Sequence, residues 1–105
     1  MNAFDDTFQL HVSADLAEIL PAYLEHRAPE LATLRAALAG GDLEQARLLG
    51  HKLKGSGGAF GLDEVSRLGA ALELAAKGDD LASARVIAST LDDYFRGLEV
   101  IYDAS

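Results

Sequence analysis

Apolar residues recur along most of the chain at steps of three and four. Leu16, Leu20, Tyr23, Leu24, Leu31, Leu34 and Leu38 form one stripe, Val65, Leu68, Leu72 and Ala75 a second, and Leu81, Ala84, Ala88, Leu91, Phe95, Leu98 and Tyr102 a third. Such spacing keeps one side of a 3.6-residue helix apolar. Gly-Gly-Asp at 40–42, Gly-Leu-Asp at 61–63 and Gly-Asp-Asp at 78–80 punctuate the pattern. In each joint a Gly suits the left-handed position that ends a helix, and an Asp can cap the next one. Asp42 followed by Gln45 also fits a capping box. The pattern therefore predicts four amphipathic helices, over roughly 16–39, 42–60, 63–77 and 80–102. Joints this short make consecutive helices antiparallel neighbours, so the expected fold is all-α: an antiparallel up-down-up-down four-helix bundle. Pro21 and Pro29 lack an N–H and crowd the preceding turn, so the first helix is expected to start near Pro21 or to kink at one of the two. Residues 1–12 are expected to form a short N-terminal extension across one end of the bundle.

Composition agrees with helix. The 105 residues include 19 Ala and 18 Leu against seven Val and Ile together, and Ala and Leu favour helix over sheet. The length suits a single domain, 1–105, with one small core. The absence of Cys excludes a disulfide scaffold, an iron–sulfur cluster and thiolate zinc sites. No apolar run approaches the ~20 residues of a membrane span, and the acidic start MNAFDDTF does not read as a signal peptide. A cytoplasmic protein with no membrane partner is expected. The net charge of −8, from 17 acidic and 9 basic side chains, argues against nucleic acid as a partner, because a phosphate backbone needs a basic face.

Ten glycines are many for a helical chain, and five of them, at 50, 55, 57, 58 and 61, fall within twelve residues. The second helix, DLEQARLLGHKLKGSGGAFG, contains most of this cluster. On a helical wheel Leu43, Ala46, Gly50, Leu53, Gly57 and Phe60 share one side, and His51 lies almost opposite them. His51 should therefore project into solvent. Within about 60° of it lie Glu44, Arg47, Leu48, Lys54, Gly55 and Gly58. Each helical Gly costs roughly 0.5–1 kcal/mol relative to Ala. Gly50 and Gly57 face inward, where they can ease helix packing, but Gly55 and Gly58 face outward, where packing offers no return. An exposed imidazole with Lys54 one turn away, Lys52 and Arg47 near it, and no side chains just beyond it suits a phosphoryl acceptor. Neutral imidazole can attack phosphorus, and the cations offset charge on the phosphate oxygens.

The run His51-Lys52-Leu53-Lys54-Gly55-Ser56, followed by Gly58 and Gly61-Leu62, resembles the signature of histidine-containing phosphotransfer (HPt) domains of two-component phosphorelays. The resemblance covers most of the chain. It implies that His51 accepts a phosphoryl group from an aspartyl-phosphate receiver or a sensor histidine kinase system and passes it to the Asp of a response-regulator receiver. Lys54 would steady the phosphate, and Gly55 would let the partner's loops approach. Glu73 matches the Gln or Glu that some members place near the imidazole from the third helix. Arg47, Lys52 and Gly58 are secondary candidates, and Leu48 and Ala59 border the histidine as candidate docking residues. The resemblance implies a phosphoryl carrier without kinase activity, and a monomer is expected. No metal or other cofactor is expected on this chain, and Mg²⁺ is expected on the receiver. The Gly-rich stretch after Lys54 suggests a loosened helix end. The alternative is a non-catalytic helical adaptor that docks a partner at the Gly55/Gly58 face. A metal-binding bundle fits poorly, because His11, His26 and His51 share no ligand spacing.

Overall fold

The computed structural model describes residues 7–104. Strand β1 (Phe8–Ser13) leads through a 3₁₀ turn (Ala14–Leu16) into five helices: α1 (Leu20–Glu25), α2 (Arg27–Ala39), α3 (Leu43–Ala59), α4 (Asp63–Lys77) and α5 (Leu81–Gly97). Strand β2 (Leu98–Asp103) follows. The fold is mostly helical. Its core is built from Leu20, Leu34, Leu53, Leu62, Val65, Leu72 and Leu91, all fully buried. Among the described residues no helix is long and apolar enough to cross a membrane.

The stripe predicted as one helix over 16–39 is divided. Ser13 Oγ accepts from Asp15 N and caps the 3₁₀ turn, and α1 begins at Leu20 with Pro21 in its first turn, where no N–H is needed. Pro29 explains the second break. It has no N–H to offer Glu25, four residues earlier, and its ring crowds that carbonyl. Accordingly α1 ends at Glu25, and Pro29 sits in the first turn of α2.

The all-α expectation is corrected at both ends of the described chain. The last helix stops at Gly97 instead of running to 102, and residues 98–103 pair in parallel with β1, from Phe8 opposite Leu98 to Ser13 opposite Asp103. Val100, Ile101 and Tyr102 are β-branched or aromatic and fit a strand as well as they fit a helical stripe. Across the pair, Gln9 Nε2 donates to Glu99 Oε1 at 3.5 Å and His11 Nδ1 meets Asp103 Oδ1 at 3.1 Å, while Val12 is buried in the core. Much of the expected N-terminal extension is thus a strand, and its residues 1–6 lie outside the described residues.

The joints differ in detail from expectation. Gly41 and Gly61 take left-handed conformations as predicted, but at the third joint Asp79 does so (φ 57°) in place of Gly78. Asp42 Oδ1 accepts from Glu44 N at 3.0 Å, not within a box with Gln45. Asp80 caps α5 through Ser83 N at 3.0 Å, whereas Asp63 is the first residue of α4 and Leu62 holds the cap position.

Helices α3 and α4 make the most extensive contact in the molecule. Gly57 faces Leu62 and Ser66, and Gly50 faces Gly69 and Glu73, so α4 runs back along α3. A Cβ on Gly50 would fall 2.5 Å from Glu73 N and 2.7 Å from Gly69 O. A Cβ on Gly69 would fall 2.6 Å from Lys54 N and 2.8 Å from Gly50 O. The seam is backbone against backbone, and only glycine permits it.

Candidate functional site

His51 lies in the middle of α3 with its side chain 69% exposed, as the wheel places it. Gly50, the residue before it, determines what stands beside the ring. Because α4 approaches so closely at Gly50, Glu73 of α4 reaches the imidazole, and its Oε2 lies 2.9 Å from His51 Nδ1. The glycine seam is therefore the local cause of the His–Glu contact.

Glu73 is buried, with 8% of its side chain exposed, and three groups converge on its carboxylate. Lys54 Nζ is 2.9 Å from Oε1, His51 Nδ1 is 2.9 Å from Oε2, and Lys77 Nζ is 3.4 Å from Oε2. The hydrogen bond from Lys54 is the main cause that lowers the Glu73 carboxyl to about 2. Burial opposes it, and the bonds from His51 and Lys77 add to it. At neutral pH Glu73 is therefore ionised and can only accept hydrogen bonds. Its contact with the imidazole assigns the proton to Nδ1, which donates, and leaves Nε2 as the open lone pair of the neutral ring.

The structure brings His51, Lys54 and Glu73 together and leaves Gly55 and Gly58 bare: a Cβ at either position would meet nothing within 4 Å. The other secondary candidates are held elsewhere. Lys52 pairs with Glu30 of α2, and Arg47 lies along Glu44, with Nε and Nη2 donating at 2.8 and 2.9 Å. Leu48 is 49% exposed beside a groove of about 240 Å³ between α2 and α3. Ala59 is exposed too, but eight residues from His51, about 12 Å along the helix.

Helix α3 continues past Lys54 to Ala59. Two side chains brace this glycine-rich end: Ser66 Oγ donates to Lys54 O at 2.6 Å, and the Tyr23 hydroxyl pairs with Ser56 Oγ at 2.7 Å. Sequence reasoning missed Lys77 and Gly69. Lys77 follows Glu73 by four residues, a spacing that places both on one helical face. Gly69 interrupts the buried stripe of Val65, Leu68 and Leu72, and that interruption was its signal.

The His51 imidazole stands on an open helical surface, fixed at one ring nitrogen, beside Lys54 and a bare stretch of backbone. This defines a mostly helical domain that exposes a histidine from the middle of one helix. The family model of the Hpt domain matches residues 18–100, and the chain belongs to that family, whose members act in phosphotransfer within two-component signalling and interact with kinases and response regulators. Comparison with curated proteins and with solved structures gives no significant match.

Proposed function

We propose that this chain is a phosphorelay intermediate in which His51 is the phosphoryl acceptor. The observation that carries the reading is the exposed imidazole anchored through Nδ1 to an ionised Glu73, with Nε2 open. In the forward step the Nε2 lone pair attacks the phosphorus of a receiver's aspartyl phosphate. The Nε2–P bond forms as the acyl O–P bond breaks, and the receiver's Asp is returned as a carboxylate. The Nδ1 proton stays in place, so the ring becomes an imidazolium, and Glu73 balances that charge. A cationic ring is the better leaving group when the phosphoryl passes to the next Asp.

Lys54 sits one turn from His51 and supplies a charge for the equatorial oxygens of the transferring group. The bare backbone at Gly55 and Gly58 admits the receiver's loops, with Leu48 as an apolar contact beside them. Mg²⁺ and the carboxylates that hold it belong to the receiver in this scheme, and a sensor histidine kinase stands upstream. The helices form one up-down-up-down domain around this face, and the chain acts as a monomeric carrier without kinase activity. The test is incubation with a phosphorylated receiver. The native chain is expected to gain acid-labile, base-stable phosphate, and His51→Gln is expected to stay helical and gain none. Label retained on the Gln variant rejects His51 as the acceptor, and partner binding with no label on either chain favours the adaptor.

A further inference from the structure

Glu73 is matched by more cations than the resting site requires. Lys54 already meets Oε1 at 2.9 Å, yet Lys77 directs a second ammonium at Oε2, the oxygen that accepts from His51 Nδ1. An exposed Glu–Lys pair four residues apart is common on helices and contributes little. This pair differs because the carboxylate is 8% exposed while Lys77 is 56% exposed, so a solvent-facing cation serves a buried anion. At 3.4 Å the ammonium is in charge contact but short of a tight bond. It needs to close by only about half an ångström to reach the length of a charge-assisted bond.

The arrangement acquires a purpose once His51 carries a phosphoryl group, and to that extent the inference rests on the function proposed above. Phosphorylation adds close to two negative charges at neutral pH. Lys54 then has two anions within reach, Glu73 and the phosphoryl oxygens, and cannot serve both at full strength. If Lys54 turns to the phosphate, Glu73 loses its strongest partner while facing a new dianion, and a buried carboxylate without a cation is strongly disfavoured. With Lys77 in place, the ring, phosphoryl group, Glu73 and two lysines are formally neutral together; without it they carry a net negative charge. We propose that Lys77 is the standby counter-ion of Glu73: it takes over the carboxylate when Lys54 moves to the phosphoryl group and so keeps Nδ1–H of the phosphorylated ring anchored. Lys77 is then a positioning residue that acts through Glu73.

The experiment uses phosphoramidate as donor, so that no receiver contact enters. Nε2 attacks phosphorus, the Nε2–P bond forms, and ammonia leaves as the donor's P–N bond breaks. Lys77→Met and Lys77→Gln are expected to slow labelling of His51 about fivefold, the order of one partly exposed ion pair. Both are also expected to shift the Nδ1–H resonance of the phosphorylated ring. Lys77→Arg is expected to retain the native rate. In a Glu73→Gln background, where no carboxylate needs a counter-ion, Lys77→Met is expected to change nothing further. Native labelling in the Lys77 variants, or an equal loss in the Glu73→Gln background, overturns the proposal and leaves His51 as the acceptor. Failure of the native chain to label under any donor overturns the acceptor reading itself.

Discussion

Helix α3 carries two pairs of glycines in opposite surroundings. On the inner side, Cβ atoms at Gly50 and Gly57 would fall 2.5 and 2.6 Å from backbone nitrogens of α4; on the outer side, Cβ atoms at Gly55 and Gly58 would meet nothing within 4 Å. Both pairs lower helix propensity by the same mechanism. Only the inner pair recovers that loss in the fold, by letting α4 close on α3 and carry Glu73 to the imidazole. The outer pair makes no such packing contact among the described residues, and the proposed function assigns the benefit of its bareness to a partner. In that reading one residue type in one helix separates what the fold needs from what the proposed function needs.

The sharpest break of this contrast is Gly50→Ala. Its methyl would press on backbone atoms that cannot rotate away, so destabilisation of about 3 kcal/mol or more is expected, which lowers Tm by more than about 10 °C for a domain of this size. A native melting curve would remove the glycine seam from the account. A smaller effect comes from acid. The Glu73 carboxyl is lowered from 4.5 to about 2, so as pH falls the unfolded chain takes up this proton first. The contribution of Glu73 to stability is complete above pH 4.5 and is lost between there and about 2. Urea midpoints of the native chain should decline across that window, and Glu73→Gln should decline less steeply; parallel slopes would contradict the ionised, cation-bound carboxylate. The smallest effect has the opposite sign. Gly55→Ala adds a methyl in open space and should raise stability by about 0.5–1 kcal/mol, while phosphoryl transfer from a receiver slows. A variant that is both more stable and equally fast would show that the bare face serves no partner.

Much of this was legible in the sequence because helix faces follow from spacing. The wheel alone separated Gly50 and Gly57 from Gly55 and Gly58 and set His51 in solvent beside Lys54. The ends of the chain were not legible. Leu98 and Tyr102 continue the helical stripe of α5, and only pairing with residues 8–13, some ninety positions earlier, makes 98–103 a strand. Glu73 could be placed near the imidazole by resemblance alone, since its reach depends on how closely two backbones approach, and that depends on Gly69 of α4 as much as on Gly50. Lys77 was out of view for the same reason: the role proposed for it follows from the burial of the carboxylate it meets.

In the proposed function Glu73 holds the proton on Nδ1 of His51 so that Nε2 takes the phosphoryl group. The direct measurement is the ring ¹⁵N and ³¹P spectrum of the phosphorylated chain. Phosphorus coupled to Nε2 of His51, with the proton retained on Nδ1, is the predicted result. Phosphorus on Nδ1, or label on His11 or His26 with His51 unmodified, would contradict it.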